Sequence, residues 1–406
     1  MCNMNSADSI LTHFKKYKDM SINIDITRGK PEGLQLDISN ELLSLKVDPI
    51  TESGIDLRNY GEPLGIEEAR ELGSQILGAP SKNIIAAEQS SLLLTYQTFL
   101  SYYLFSDDPW KKRKSKKFIY PVPGFDRHFR ILEDFDIEVI TVPLKDDGVD
   151  IEEYTKILEE NNDVCGILSV PRHSNPSGET FTDENIKKIF KIGKEYSDNF
   201  LFIFDHAYLV HDFLPTIKQT PIWSIATTEK VTDNCVVATS FSKVTFGGGG
   251  LSFILSGGRS FNLIKRMRES MIICPDKINQ KRHVMFLKDI DNITNHMKKH
   301  AELILPKFEA VKTILSDIPS ECGSFSNPTG GYFMTYNFNK PIATKVQTIC
   351  EEMGLYITPA SSLFPKGKCP DNVLRIAPTY VSVNKLELAM NIFITAVQIA
   401  HFEIEY

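Results

Sequence analysis

The chain has 406 residues, of which 42% are hydrophobic and 24% charged, and its formal net charge is −7. This composition is ordinary for a globular protein that is long enough to form two domains. The negative charge argues against broad nucleic-acid binding, and no uninterrupted apolar run is long enough to span a bilayer. The composition therefore predicts neither a nucleic-acid partner nor a membrane partner.

The cysteines and the N-terminal residues indicate the cellular compartment. The seven cysteines include no Cys-x-x-Cys pair, and an odd number is typical of reduced thiols rather than of a disulfide framework. Residues 1–20 are polar and charged and lack the apolar core of a signal peptide. We therefore expect a cytoplasmic protein, and no cluster of residues predicts a metal site.

Helical and strand patterns alternate from the N-terminus to about residue 285. An amphipathic helix over 1–20 precedes a short strand within 22–31, and a Gly/Pro loop at 56–65 precedes a helix over 66–77. Further helices are predicted at 92–105 and 183–196, and strands at 118–122, 137–144, 164–170, 200–204, 235–238 and 251–255. This alternation predicts a parallel α/β sheet with right-handed crossovers.

Past about residue 285 the pattern changes to that of a smaller lobe. Residues 292–315 predict one or two long helices, and residues 385–401 predict a closing helix. Short strand-like pieces lie at 330–334, 357–360 and 374–377. We find no internal repeat and no low-complexity segment.

One lysine stands at the end of a strongly apolar strand. The run Cys235 to Ala238 predicts a buried strand, and Thr239, Ser240 and Ser242 precede Lys243, which is followed by four glycines within 247–250. A lysine at the C-terminal mouth of a strand lies at the usual ligand edge of an α/β sheet. Such an amine could form a Schiff base with an aldehyde cofactor. A solvated turn is an equally good interpretation of this motif alone.

Other polar residues also follow predicted strands. Asp205 comes directly after 200–204, where a carboxylate is costly unless it is paired, for example with a cationic ring nitrogen. Asn175 lies in Asn-Pro-Ser-Gly, which is also an ordinary turn sequence. Phe125 could stack on a flat ring, although an aromatic residue there more often belongs to the core. Ser90 and Ser91 could cap a helix or bind a phosphate at its start.

The sequence alone leaves the roles of several cationic residues and one tyrosine undecided. Arg28 and Lys30 are either surface charge, which we favour, or an anion clamp. Arg375 lies between apolar neighbours, and a buried arginine requires a carboxylate partner. Tyr60 could serve packing or bind a phosphate. The basic run within 107–117 is best explained as a solvated connection rather than a polyanion site.

In chain order these residues form a specific set. It consists of Tyr60, Ser90-Ser91, Phe125, Asn175-Pro176-Ser177-Gly178, Asp205-x-Ala-Tyr208, Ser240-Phe-Ser-Lys243 and Arg375. The set resembles the fold-type-I aminotransferases that use pyridoxal 5'-phosphate (PLP), and the resemblance covers nearly the whole chain. Segments similar to a divergent subgroup of bacterial aspartate aminotransferases lie at 27–31, 35–40, 123–129, 242–250 and 275–280.

The resemblance implies a fold and an assembly. The fold is α/β, with a large domain built on a mostly parallel seven-stranded sheet flanked by helices, and a smaller α+β domain. We expect residues 51–285 to form the large PLP-binding domain and residues 286–406 the small domain, to which residues 1–50 also belong. The resemblance further implies a homodimer in which Tyr60 reaches the PLP phosphate of the other subunit.

It also implies catalytic roles. Lys243 would hold PLP as a Schiff base and then act as general acid and base in the proton transfer. Asp205 would pair with the pyridine N–H and so make the ring an electron sink. Tyr208 and Asn175 would hydrogen-bond the phenolic oxygen of the ring, and Phe125 would stack on it.

Phosphate and substrate contacts follow from the same resemblance. The hydroxyls implied to bind the phosphate are those of Ser90, Ser91, Ser240 and, from the other subunit, Tyr60. The residues implied to bind the substrate are Arg375, which takes the α-carboxylate, together with Gly29 and Asn175. An aspartate or glutamate side chain needs a second cation, for which Arg127 is our first candidate and Arg28 the second.

Two positions depart from the wider family. An arginine that usually stands eight residues after the lysine is Leu251 here, a loss that the subgroup shares, and Gln89 replaces a more usual Asn or Gly. The missing charge raises the question of what balances the phosphate. Lys30, or neutral donors alone, could serve instead.

The predicted reaction is ping-pong transamination from aspartate or glutamate to a 2-oxo acid such as 2-oxoglutarate. Transamination of aromatic or neutral amino acids, and a PLP-dependent lyase or decarboxylase on the same fold, remain as alternatives. A PLP-sensing regulator would need a further N-terminal DNA-binding domain, for which we expect no room because Arg28 already belongs to the pattern. A non-catalytic binding protein would be expected to lack Lys243 or Asp205.

Overall fold

The computed structural model describes residues 7–406. Fourteen α-helices form within these residues, and the long ones mostly bury one apolar side. They are α1 (Ala7–Asp19), α2 (Gly33–Asp37), α3 (Glu41–Ser44), α4 (Glu67–Leu77), α5 (Ser91–Phe105), α6 (Asp126–Asp134), α7 (Ile151–Glu160), α8 (Asp183–Tyr196), α9 (Ile222–Thr228), α10 (Gly258–Met271), α11 (Lys277–Leu287), α12 (Ile290–Leu315), α13 (Ala343–Glu352) and α14 (Val383–His401).

Thirteen strands form within the same residues, and most of them are short. They are β1 (Ile24–Asp25), β2 (Ile84–Ala86), β3 (Lys117–Val122), β4 (Glu138–Lys145), β5 (Gly148–Val149), β6 (Val164–Ser169), β7 (Leu201–Asp205), β8 (Cys235–Ser240), β9 (Ser252–Ser256), β10 (Gly323–Phe325), β11 (Met334–Phe338), β12 (Leu355–Tyr356) and β13 (Val373–Ile376).

Eight of these strands form one large sheet in the order β2-β9-β8-β7-β6-β3-β4-β5. Neighbouring strands from β8 to β4 pair in parallel, whereas β9 runs antiparallel to both β8 and β2. The predicted mostly parallel α/β sheet is confirmed. The two-residue strand β5, antiparallel to β4, brings the number of strands in this sheet from the predicted seven to eight.

The central strand β7 shows why the sheet is buried on both faces. All five of its residues are buried, as expected for a parallel strand that helices cover on both sides. Phe202 and Phe204 contact Phe190 of α8 on one face, whereas Leu201 and Ile203 join a core that includes α5 on the other. Because side chains alternate along a strand, consecutive residues at its end also face opposite sides.

The smaller lobe combines segments that are distant in sequence. Strands β10, β11 and β13 form an antiparallel sheet, which shares a core with α12, α13 and α14. Strand β1 pairs in parallel with β12, and α1 packs against α14. These contacts support the assignment of residues 1–50 to the small domain, and the division into 1–50, 51–285 and 286–406 stays a prediction.

Some element bounds differ from the predicted ones. Helix α1 covers 7–19 of the predicted 1–20, and residues 1–6 lie outside the described part of the chain. Residues 357–360 form no strand, because β12 ends at Tyr356 and Pro359 leads into a 3₁₀ turn. Strand β2 was not predicted, since three residues are too few to show a pattern. Among residues 7–406, no helix combines the length and apolar character that crossing a membrane requires.

Candidate active site

A pocket of about 520 Å³ lies where the C-terminal ends of β6, β7 and β8 meet the smaller lobe. Its lining includes every predicted site residue except Tyr60, namely Arg28, Gly29, Ser90, Ser91, Phe125, Arg127, Asn175, Asp205, Tyr208, Ser240, Lys243 and Arg375. Tyr60 lies outside this pocket, and 75% of its surface is exposed. The fold therefore brings the predicted residues together from both lobes, with one exception.

Lys243 lies in the tight turn that follows β8. Its Nζ is 5.0 Å from the ring centre of Tyr208 and 5.9 Å from that of Tyr332. Burial lowers the pKa of Lys243 below its ordinary value, and the charge of Asp205 opposes this only in part. A lowered pKa increases the neutral fraction of the amine, which is the form that attacks a carbonyl carbon.

Asp205 ends β7 with one oxygen paired and the other free. Its Oδ2 lies 3.1 Å from Nε2 of His128, and Nδ1 of His128 lies 2.8 Å from the Tyr120 hydroxyl. Its Oδ1 is buried and has no hydrogen-bond partner among the described residues. Burial acts to raise the pKa of Asp205, but the hydrogen bond and charge of His128, with smaller effects of Ser91 and Lys243, lower it overall. The ionised carboxylate thus keeps one oxygen for a cationic partner.

Tyr208 and Asn175 come from the turns after β7 and β6. Tyr208 is buried, and burial, with the nearby charge of Asp205, raises the pKa of its hydroxyl far above the ordinary value. The hydroxyl therefore stays protonated and able to donate a hydrogen bond. The side-chain oxygen of Asn175 accepts a hydrogen bond from Arg375 at 3.2 Å, so Asn175 also orients the guanidinium.

Arg375 lies on β13 and is held from several sides. Its guanidinium donates to the backbone oxygen of Thr27 at 2.7 Å and to the hydroxyl of Thr358 at 2.9 Å. The guanidinium carbon lies 4.6 Å from the ring centre of Phe333, and the buried Nε has no hydrogen-bond partner among the described residues. The pocket therefore presents an oriented cation that can take a carboxylate.

A group of hydroxyls surrounds the start of α5. Ser90 caps this helix by accepting a hydrogen bond from its backbone, and Ser91, Ser240 and Ser242 line the same pocket. The hydroxyl of Ser242 donates to the backbone oxygen of Gln89 at 2.6 Å, which joins the helix start to the turn of Lys243. A helix N-terminus with hydroxyl side chains suits a phosphate.

The position of the missing arginine, Leu251, and the alternative cation, Lys30, both lie outside the lining of the pocket. The side chain of Leu251 is fully buried in the core of the large domain. The Nζ of Lys30 lies 3.7 Å from the ring centre of Tyr380, and Lys30 is not among the residues that line the pocket. Of the groups considered for the phosphate, this leaves the neutral hydroxyls and the start of α5 in the pocket.

The pair His128 and Tyr120 was not predicted from the sequence. His128 is fully buried on the inner side of α6, beside apolar Phe129 and Leu132. A polar residue on the buried side of an amphipathic helix signals a hydrogen-bond partner, and this signal was available in the sequence. The identity of that partner was not available, because Asp205 is 77 positions away.

A partly buried glutamate, Glu179, supports the turn that carries Asn175. The backbone oxygen of Glu179 accepts a hydrogen bond from the backbone of Ser174 at 2.8 Å. Its carboxyl Oε2 is buried without a partner among the described residues. Burial raises the pKa of Glu179 to about 7, and the charge of Asp146 adds to the rise.

With this geometry established, comparison with known proteins identifies the family. A sequence model described as "Aspartate amino-transferase" matches residues 3–405. The chain belongs to this family. The aspartate aminotransferase of Corynebacterium glutamicum is 34% identical over 406 residues, which cover 98% of this chain and 94% of that protein.

Solved structures agree with the family assignment. The crystal structure of an aspartate transaminase from Corynebacterium glutamicum matches this aminotransferase with a TM-score of 0.93 at 32% identity, covering 98% of this chain and 96% of that one. LysN, an α-aminoadipate aminotransferase from Thermus thermophilus complexed with N-(5'-phosphopyridoxyl)-L-leucine, matches with a TM-score of 0.78 at 15% identity, covering 99% and 97%. The second likeness concerns the fold alone.

The family implies PLP as the cofactor of this aminotransferase, and the pocket fits that group. The free, buried Oδ1 of Asp205 suits a protonated ring nitrogen. The amine of Lys243 suits the aldehyde, and the hydroxyl-lined start of α5 suits the phosphate.

We expect Glu179→Gln to make the fold more stable than the wild type above pH 7 but not at pH 4.5. In the unfolded chain the carboxyl titrates near its ordinary pKa of 4.5, whereas in the folded protein its pKa is about 7. Between pH 4.5 and about pH 7, folding therefore takes up a proton, and the wild type loses stability as the pH rises through this range. Urea unfolding across this pH range measures the difference.

The control for this experiment is Glu184→Gln, because Glu184 is an exposed residue of α8. This variant should not reproduce the gain in stability above pH 7 that is expected of Glu179→Gln. A Glu179→Gln curve that runs parallel to the wild-type curve contradicts the prediction.

Proposed function

We propose that this aminotransferase moves the amino group of aspartate or glutamate to a 2-oxo acid such as 2-oxoglutarate, in two half-reactions that use PLP held by Lys243. The observation that carries the proposal is the free oxygen of Asp205, which lines the same pocket as the amine of Lys243 and the guanidinium of Arg375. These three groups match the ring nitrogen, the aldehyde and the substrate carboxylate, respectively.

The proposed chemistry assigns a separate task to each side chain. Bound PLP supplies a conjugated ring that accepts the electron pair of the broken Cα–H bond. Asp205, kept ionised by His128, holds a proton on the ring nitrogen. The amine of Lys243, once it is free, would take the proton from Cα as a base and deliver it as an acid to the cofactor carbon that carried the aldehyde, and the second half-reaction would run the same transfer in reverse. Tyr208 donates a hydrogen bond to the phenolic oxygen of the ring.

Binding and positioning are the tasks of the remaining residues. Arg375 binds the α-carboxylate of the substrate, and its contacts with Thr27, Thr358 and Asn175 fix the direction of the guanidinium beforehand. We assign to Phe125 the stacking on the face of the PLP ring. Gly29 and Asn175 are assigned to the backbone groups of the substrate. The hydroxyls assigned to the phosphate are those of Ser90, Ser91 and Ser240.

Two further arginines in the pocket support a dicarboxylate substrate. Arg127 lies on the first turn of α6, its side chain is 46% exposed, and its Nε is 3.7 Å from the Asp126 carboxylate. Arg28 is exposed and lies next to Gly29. The relative from Corynebacterium glutamicum carries the name aspartate aminotransferase, which supports the same substrate class. We keep Arg127 as the first candidate for the distal carboxylate.

We expect Lys243→Ala to abolish transamination and the visible absorbance of the bound cofactor while the fold is retained. In the wild type, aspartate or glutamate added without an acceptor should bleach that absorbance, and 2-oxoglutarate or oxaloacetate should restore it. Absorbance spectroscopy of the purified, PLP-loaded protein measures each half-reaction separately.

The other outcomes of this experiment distinguish the alternatives. Bleaching by aromatic or neutral amino acids alone would retain the aminotransferase and reject the dicarboxylate substrate. Release of ammonia and pyruvate, or of CO₂, without loss of the absorbance would favour a lyase or a decarboxylase. Native turnover by Lys243→Ala would contradict the central assignment.

Arg127→Leu should weaken the use of aspartate far more than the use of alanine. Loss of a hydrogen-bonded charge pair costs about 1.5–3 kcal/mol, which corresponds to a fall of about ten- to a hundredfold in kcat/KM for aspartate. Steady-state kinetics with both amino donors measure the ratio. Arg28→Leu is the matched variant, and a larger fall there would transfer the role to Arg28.

We further propose a homodimer in which Tyr60 serves the site of the other subunit. The ring of Tyr60 projects from its own chain, whereas the backbone of its loop is fixed. Lys277, almost fully buried, donates to the backbone oxygens of Asp56 and Tyr60 at 3.2 and 3.3 Å. A rigid loop with an exposed aromatic hydroxyl is suited to contact a second copy.

A hybrid dimer of one Tyr60→Phe subunit and one Lys243→Ala subunit tests this proposal. If Tyr60 acts on the other subunit, the hybrid contains one complete site and one that lacks both groups. We expect half of the wild-type activity and one site with wild-type PLP affinity. A monomer in sedimentation, or a PLP affinity equal to that of the Tyr60→Phe homodimer, would contradict the proposal.

We also infer a cytoplasmic location from the cysteine content. The six cysteines within the described residues are all free, which agrees with a reducing compartment. Cell fractionation followed by immunodetection tests this inference.

A further inference from the structure

A second cavity, of about 410 Å³, lies on the other face of the large sheet from the PLP pocket. Its floor is apolar and includes Val237 of β8, Leu255 of β9 and Ile76 of α4. These three residues belong to the same core as Phe204 of β7, whereas the neighbouring Ile203 belongs to the core on the α5 side. The sheet therefore separates the two cavities.

His206 connects the two cavities through a single peptide bond. Asp205 lines the PLP pocket and His206 lines the second cavity, as the alternation of side chains requires. The backbone of His206 is fixed to β8 by hydrogen bonds to Ala238, at 2.7 Å, and from Thr239, at 2.9 Å. The imidazole is 3% exposed, and its Nδ1 has no hydrogen-bond partner among the described residues.

The charges around this cavity are already balanced. Arg172 donates to the carboxylate of Asp212 at distances of 2.7 to 3.2 Å, and Nε2 of His173 lies 2.7 Å from the same carboxylate. Burial, with the charge of Arg172, lowers the pKa of His206 to about 3, so this imidazole is neutral near pH 7. Lys218, the remaining charged residue of the lining, is exposed on the surface. An ionic ligand would thus find no unpaired charge inside.

A strap formed by residues 214–221 covers the cavity. Gln219 anchors it by donating to the backbone oxygens of Pro171 and Phe181 at 3.2 and 3.0 Å, and Thr220 donates to the Asp183 carboxylate. Trp223, just beyond the strap, adds its indole to the lining. The volume is within the range of small-molecule sites, which are mostly apolar with a few placed polar groups.

We propose that this cavity is a second ligand site, which takes an uncharged molecule with one aromatic ring and a hydroxyl group. The aromatic ring of such a molecule matches the apolar floor of the cavity and Trp223. Because the charged residues inside the cavity already pair with one another, the site favours a neutral molecule. A hydroxyl can donate or accept, so it can pair with the imidazole of His206, which lines the cavity, in either tautomer of the neutral ring.

Phenol is the probe, and the PLP-loaded enzyme is the protein to use. The chain has two tryptophans, and Trp110 is buried in the core on the α5 side, so Trp110→Phe leaves Trp223 as the reporter. We expect a saturable change in its emission, with a dissociation constant of about a millimolar for so small a ligand. Isothermal titration calorimetry checks the same constant.

Three variants locate the bound phenol. His206→Phe keeps the volume but removes the nitrogen, and should weaken binding about fivefold, whereas His206→Asn keeps an acceptor and should recover part of the affinity. Thr216→Trp, a change on the partly exposed strap, should fill the cavity and abolish binding. Arg375→Leu alters the PLP pocket and should leave the phenol affinity unchanged.

Three results would overturn the proposal. They are the absence of saturable binding to the PLP-loaded enzyme, full affinity in Thr216→Trp, and loss of affinity in Arg375→Leu, which would place phenol in the PLP pocket. Thr216→Trp keeps the test decisive even where a change of His206 prevents folding. None of these results depends on which amino acid is the amino donor.

Discussion

The carboxylate of Asp205 imposes the strongest constraint on the structure around it. It ends a strand whose five residues are all buried, where an unpaired ion would cost several kcal/mol. His128 provides the pairing and is itself held by Tyr120. Both come from the segment that includes β3 and α6, and β3 is the second neighbour of β7 in the sheet. The order of the strands and the path of α6 are therefore part of what makes this carboxylate tolerable.

Arg375 is the cation of the site, and its guanidinium has to be oriented without its charge being cancelled. Its partners belong to three distant segments, because Thr27 precedes α2, Asn175 follows β6 and Thr358 follows β12. Each contact uses a neutral oxygen, so the positive charge is oriented but not cancelled. A substrate carboxylate could thus pair with a guanidinium whose direction is already set, and little ordering would be required at the moment of binding.

The positions of some site residues could be predicted from the sequence, whereas the partners of others could not. Lys243, Asp205 and Asn175 each follow an apolar strand, and the C-terminal ends of parallel strands meet at one edge, so their convergence was predictable. Pairs formed across the fold were not, since neither the partner of His128 nor that of Arg375 leaves a local pattern. Short elements such as β2 also escape detection, because periodicity needs more residues than they contain. Tyr60 lies outside the pocket of its own chain, and its role in the site of a second subunit stays a prediction.

The pairing of β1 with β12 has a consequence for the synthesis of the protein. Thr27 and Thr358, which share a hydrogen bond in this region, are 331 positions apart. At about 5–20 residues per second, a ribosome needs roughly 20 to 60 seconds to make the intervening chain. During that interval the apolar side of α1, with Ile10 and Phe14, has no core to cover it, although the strands of the large sheet are emerging. The N-terminal segment thus stays uncovered until α14 has been made, and the lobe that carries Arg375 is the last to be completed.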